Sequence, residues 1–287
     1  MRALRFAAVS VLIVSASTAL LSQNRYNSGQ TIAPVFEGWE KNADGSFNMV
    51  FGYMNRNYEE ILDVPVGPNN FFEPGNQDQG QPTYYYPRRQ QFMFKVRVPA
   101  DWGNKDLVWT LTTKGHTEKA YATLKDFWEL DNNVLHQNRS GPGPQGAPNT
   151  GPAARLVGEP VRTVKVGESV PLVMSIEDDG LPAPRASAGA TRGRGAAMPP
   201  SVVPPRQNPI VQMVVRLNPG MRLGAIWVLH RRSGTGTVTF DPQKAAAVDG
   251  VATAGARFSE PGTYILRGYA DDGILLDYVD VTVTVTE

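Results

Sequence analysis

The sequence predicts an all-β protein built from two β-sandwich domains, and three observations predict it. Apolar and polar residues alternate in run after run, the pattern of a strand with one buried face, as in "GSFNMVFGYMNRN" and "DYVDVTVTV". Residues 137–155, "QNRSGPGPQGAPNTGPAAR", hold four prolines and four glycines with no apolar periodicity, and they separate two sets of such runs. At 287 residues the chain is long enough for two domains that each bury a core without metal or disulfide staples.

The elements follow in order. Residues 1–22 carry Arg2 and Arg5, an apolar run from Phe6 to Val14 and small residues at Ser17-Thr18-Ala19, the pattern of a secretory signal. We expect it to be cleaved, with retention as an anchor the alternative. The chain has no cysteine, which removes disulfides, thiolate metal sites and cysteine nucleophiles. An exported chain without disulfides points to a bacterial periplasm or exterior. Of 28 Lys and Arg residues, 26 remain without Arg2 and Arg5, against 27 acidic ones. Such neutrality argues against nucleic acid as partner. No later stretch approaches the roughly 20 apolar residues of a membrane span.

The first sandwich is expected over 25–136, with about seven strands. It opens with a hairpin around Asn42-Ala43-Asp44-Gly45 that puts Phe47, Met49, Phe51 and Tyr53 on one face. Phe92, Phe94, Val96 and Val98 then alternate with Met93, Lys95 and Arg97, and Leu107, Trp109 and Leu111 repeat the pattern. Residues 62–91 between them are rich in Pro, Gly, Asn and aromatics and are expected as a long surface excursion. "TEKAYATLKDFWELD" fits either a helical or a strand face, and its β surroundings favour strand.

After the linker the second sandwich is expected over 156–287. "VKVGESVPLVMSIEDDG" puts Val170, Leu172, Met174 and Ile176 on one face. The insert 181–209 has seven prolines, six alanines, three glycines, four arginines (Arg185, Arg192, Arg194, Arg206) and no acidic residue. With so little apolar surface to offset ordering entropy, it is expected as a flexible, disordered loop. Strands resume with "PIVQMVVRL", "LGAIWVLHR" and "GTVTF", and the closing strand turns Val279, Val281, Val283 and Val285 inward.

The series "VKVGESVPLVMSIEDDG", "AIWVLHRRSGTGTVTFDP" and "ARFSEPGTYILRGYADDGILLDYVDVTVTV" resembles the immunoglobulin-like domains of the PKD and bacterial cadherin-like type over roughly 157–286. It departs from them at Thr235, where a proline is usual, and in the length of the insert. The resemblance implies an immunoglobulin-like sandwich with Trp227 as a core aromatic and Tyr264, after Gly262, as a tyrosine corner. More loosely, the first half resembles exported bacterial β-sandwich proteins of unassigned function.

Two groups of residues are candidate sites. Asp178-Asp179-Gly180 and Asp271-Asp272-Gly273, with Asp277, fall in loops that share one pole of such a sandwich. Five carboxylates there could hold Ca²⁺, which takes six to eight oxygens. The alternatives are plain turn chemistry and salt bridges to the arginines of the insert. The second group is Phe71, Phe72, Tyr84, Tyr85, Tyr86, Arg88 and Arg89, a composition suited to a protein or sugar contact surface. Its alternative is packing on the sandwich edge.

His116, His136 and His230 lack zinc-site spacing, and no nucleophile elbow, phosphate loop or dinucleotide fingerprint occurs. The expectation is a non-catalytic, exported protein that binds or scaffolds a protein partner at the bacterial envelope. It needs no cofactor, with calcium the one candidate. The alternative is a carbohydrate-binding accessory module using the aromatic loop around Tyr84 to Tyr86.

Overall fold

The computed structural model describes residues 25–131, 134, 149–181, 214–218 and 221–287, all of them in or between β-strands except for short turns. The expected signal, most of the linker, the insert beyond Leu181 with its four arginines, and His136 lie outside the described residues.

The first half contains β1 (Ile32–Lys41), β2 (Phe47–Asn55), β3 (Leu62–Asp63), β4 (Asn70–Glu73), β5 (Tyr84–Tyr85), β6 (Arg88–Val98), β7 (Leu107–Thr113) and β8 (His116–Ala122). Sheets β1-β2-β6 and β4-β7-β8 enclose the core, and β3 pairs with β5. The expected hairpin joins β1 to β2: the Asp44 carboxylate accepts from the Ser46 N–H at 3.1 Å, and Gly45 takes the positive φ of the turn. "TEKAYATLKDFWELD" is strand only as far as Ala122 and then closes in a 3-10 turn at Asp126–Trp128.

Aromatic rings fill this sandwich. Phe51 stacks on Phe94 at 5.4 Å, Phe72 stacks on Trp109 at 5.7 Å, and Phe94 meets Trp109 edge-on at 5.1 Å. The alternation expected for Phe92 fails. Between its pairings with Phe51 and Tyr53, β6 advances four residues where β2 advances two. That bulge puts Phe92 at φ +54° and moves its ring to the opposite face, against Val50 and Leu130, while Met93 joins the main core.

Residues 62–91 are a surface excursion only in part: 73–78 are exposed, but the rest is anchored inward. Val64, Asn70, Phe72, Gln81, Thr83 and Tyr85 are buried. Asn70 organises the stretch: its amide donates to the carbonyls of Val64 and Pro82, both at 2.9 Å, and its oxygen accepts from Trp109 Nε1 at 2.9 Å. A buried amide with all these bonds met fixes a segment that has little regular ladder of its own.

The second half contains β9 (Ala153–Val157), β10 (Val161–Lys165), β11 (Val170–Glu177), β12 (Gly224–Arg232), β13 (Val238–Asp241), β14 (Lys244–Ala246), β15 (Val251–Phe258), β16 (Gly262–Asp271) and β17 (Leu276–Thr286). One sheet runs β13-β15-β11-β9 and the other β10-β17-β16-β12-β14, with β10 parallel to β17. Four strands D-E-B-A facing G-F-C is the immunoglobulin-like arrangement. Strand β9 begins inside the span expected as linker. Val214–Asn218, the described end of the expected strand "PIVQMVVRL", is irregular, although Val215 and Leu217 are buried.

Trp227 is fully buried on β12, and Gly268 on β16 makes room for it. A methyl at 268 would stand 2.7 Å from the indole and 2.6 Å from Met174 Cε. The Tyr264 hydroxyl donates to the Glu260 carbonyl at 2.8 Å, which closes the tyrosine corner. The Thr235 hydroxyl bonds Glu260 Oε2 at 2.9 Å where the resembled domains carry proline.

Candidate functional site at the junction of the two halves

The core of the first sandwich does not end at its own sheets. Val215, Leu217, Ile226, Val228 and Tyr269 of the second half belong to the same buried cluster as Tyr53, Phe94 and Trp109. The outer face of β12 is therefore apolar too, which explains why "GAIWV" is buried on both sides.

Around that apolar contact stands a ring of committed polar groups. At the end of β12, His230 Nε2 bonds the Gly80 carbonyl at 2.9 Å, and the His230 carbonyl accepts from the Thr83 N–H at 3.1 Å. Arg231 clasps Asp78 with two bonds of 2.9 and 2.7 Å and donates to the Gln81 carbonyl at 2.7 Å. Arg232 pairs with Asp63 at 2.8 Å and lies over the Tyr84 ring at 4.9 Å. Three consecutive side chains thus grip the segment 63–84.

A second clasp joins β16 to β6. Arg267 bonds both oxygens of Asp280 at 2.7 and 2.8 Å, reaches the Met93 carbonyl at 3.3 Å and covers the Tyr278 ring at 4.0 Å. Burial opposes its charge, but the Asp280 hydrogen bonds and the nearby tyrosines hold its pKa above that of an ordinary arginine. Burial has the reverse outcome at His230, whose pKa falls well below the usual range with Arg267 and Arg231 adding to the effect. Its Nδ1 is buried with no hydrogen-bond partner among the described residues.

The aromatic and arginine candidates are placed by this junction. Phe72 and Tyr85 have no exposed surface, so neither can be part of a free contact face; they are core because β4 and β5 close over Trp109. Tyr85 donates to the Pro82 carbonyl at 2.8 Å. The Tyr86 hydroxyl accepts from the Leu229 N–H at 2.9 Å across the junction. Arg88 covers the Tyr58 ring at 4.0 Å, and Arg89 pairs with Glu37 at 2.7 Å. Burial pushes the Glu37 carboxyl above the usual range, which Arg89 only partly offsets. Phe71 and Tyr84 stay half-exposed.

The carboxylates do not converge. Asp271 accepts from Gly273 N–H at 2.7 Å and Leu217 N–H at 3.2 Å. Asp272 accepts from Ile274 and Leu275 N–H at 2.6 and 2.7 Å and from the Asn149 amide at 2.8 Å. Asp178 caps Gly180, Asp179 caps Leu181 and Thr150, and Asp277 caps Ala154, at 2.8 to 2.9 Å. Each carboxylate accepts from backbone N–H groups of its own loop, of the chain entering β9 or, for Asp271, of the segment before β12, and Asp272 also accepts from the Asn149 side chain. Among the described residues no group of three or more His, Cys, Asp or Glu is placed to hold a metal ion. Burial raises the Asp272 pKa to about 6.

Sequence reasoning missed Asp63, Asp78, Arg231, Arg232, Arg267 and Asp280. For Arg231 and Arg232 the signal was "LHRR" at the end of a strand, with acidic partners 153 and 169 residues away, whereas Arg267 and Asp280 stand opposite each other on neighbouring strands.

No protein-family model matches the chain, and no curated protein matches it. Among solved structures it is similar to domains 4 and 5 of the S-layer protein SbsC, at 9% identity over 90% of this chain and 98% of that one, with a TM-score of 0.24. It is also similar to a chimeric titin Z1Z2 (11% identity, 90% and 100% covered, TM-score 0.22) and to immunoglobulin domains 1–4 of Sidekick-1 (8%, 91% and 51%, 0.23).

Proposed function

We propose that this protein is a non-catalytic binding or scaffolding protein, exported to the bacterial envelope, whose two sandwiches act as one rigid body toward a protein partner. The observation that carries the reading is the junction itself: Arg231, Arg232 and Arg267 are each committed to a carboxylate of the fold rather than aimed into a reaction cleft. Arg231 and Arg232 cross to carboxylates of the first sandwich, and Arg267, paired within its own, reaches the Met93 carbonyl; charges that tie two sandwiches together suit a protein whose work is to present surfaces at a set spacing. Kinship with PKD and bacterial cadherin-like domains belongs to the same proposal, supported by Trp227 in the core, Tyr264 at the corner and Asp271-Asp272-Gly273 in the turn.

The test is capture of partners from the native envelope with the whole mature protein and with an Arg231→Ala/Arg267→Ala variant. A partner retained reproducibly by the wild type and lost by the variant is the expected result. No specific partner, or equal capture by both forms, would count against a rigid scaffold.

A further inference from the structure

Beside the junction, a cleft of about 280 Å³ lies open between the two halves. One wall is Tyr84 and Tyr86; the other is Leu229, Thr239, Phe240 and Gln243. That volume falls just below the range of about 300–1,000 Å³ usual for ligand pockets, so the occupant is short.

The aromatic wall is built rather than incidental. The two tyrosine rings meet edge-to-face at 5.1 Å. Tyr86 is fixed twice: its backbone N–H donates to the Tyr53 hydroxyl at 2.9 Å and its own hydroxyl accepts from Leu229. Tyr84 lies under Arg232, which Asp63 and the carbonyls of Thr235 and Gly236 hold in place. A wall held this way loses little freedom on binding.

The chemistry of the lining narrows the ligand. Of its polar groups, the Thr237 hydroxyl bonds Ser259 and the Tyr86 hydroxyl accepts from Leu229, while the Tyr84 and Thr239 hydroxyls and the Gln243 amide have no hydrogen-bond partner among the described residues. Apart from the tyrosines, no ionisable side chain lines the cleft. Arg232, which lies over the Tyr84 ring, is already paired with Asp63. A purely apolar ligand would strip water from two hydroxyls and an amide without replacing it, which is costly. Aromatic surface combined with neutral donors and acceptors matches a sugar ring, with its apolar C–H face and its rim of hydroxyls.

We infer that this cleft is a binding site for a short neutral saccharide. Because its walls come from different halves, an occupied cleft also ties them together, and ligand bound only by the folded junction raises the melting temperature.

The test is isothermal titration of the whole mature protein with cellobiose, maltose and N,N′-diacetylchitobiose, beside Tyr84→Ala, Thr239→Val and Gln243→Leu variants. The Thr239 and Gln243 side chains make no hydrogen bond among the described residues, so their variants should melt close to the wild type. At least one disaccharide is expected to bind, with affinity falling about tenfold in Gln243→Leu, the loss of one or two hydrogen bonds. No binding of any of the three, or binding that all three variants leave unchanged, would overturn the assignment. Partner capture is unaffected by Gln243→Leu if the scaffold reading holds, so the two readings fail separately.

Discussion

The Tyr269 hydroxyl of β16 donates to the Met93 carbonyl of β6 at 2.6 Å, a buried hydrogen bond between residues 176 positions apart in the chain. It exists because the bulge in β6 turns Met93 into the main core, where its carbonyl faces the second half. Arg267 shares the same acceptor. Removing the hydroxyl with Tyr269→Phe should lower stability by about 1 kcal/mol, the net value of one such bond. Chemical denaturation of the two proteins measures it.

Arg267 should matter more. Its side chain is 5% exposed, and Arg267→Ala strips the Asp280 carboxylate and the Tyr278 ring of their partner. Breaking a buried pair costs about 3–5 kcal/mol, reduced here because Asp280 is 40% exposed, so about 2–3 kcal/mol is expected. Arg267→Lys should rescue little, because an ammonium cannot make the bidentate bond.

Acid should loosen the junction through His230. Its folded pKa is depressed by burial, so the unfolded chain binds the proton more readily. Stability from this group is then intact above the unfolded value of about 6.5 and falls as pH drops below it. Asp272 runs the other way: its folded pKa is about 6, so its folded form is favoured as pH falls from there toward the ordinary carboxylate value. Melting temperatures of the wild type and of His230→Asn between neutral pH and pH ~5 separate the two groups. The variant should lose less stability on acidification than the wild type does.

Calcium should be inert. The five aspartates accept from backbone N–H groups, so melting curves with Ca²⁺ and with chelator should coincide. A rise in melting temperature with Ca²⁺ would restore a cation to that pole.

Gly52→Ala should be among the most damaging small changes. Its methyl would stand 2.2 Å from Glu37 Oε1 and 2.4 Å from the Gln90 carbonyl, a backbone atom that cannot swing aside. Overpacking of this kind costs about 1–3 kcal/mol or more, readable as a fall in denaturation midpoint.

Much of the fold was legible because period-two alternation and turn chemistry are local. The Asn42–Gly45 hairpin and the Trp109 strand follow from patterns a few residues long, and the buried Trp227 and the Tyr264 corner from the resemblance to immunoglobulin-like domains. What was not legible depends on contacts between distant segments. Phe92 was misplaced because a bulge leaves no mark on alternation until the partner strand is known. Residues 62–91 read as surface because their order comes from Asn70 and from the second half. Tyr85 and Phe72 looked like a binding face for the same reason that they make a good core: large aromatics suit either. The pairing of Arg231 with Asp78 and of Arg232 with Asp63 has no local signature.

The measurement that bears most directly on the fixed junction is thermal unfolding followed by residue-resolved hydrogen exchange around Trp109 in the first half and Trp227 in the second. One shared transition is expected for the wild type, splitting into two in Arg231→Ala/Arg267→Ala. Two separate transitions in the wild type would contradict a single rigid body.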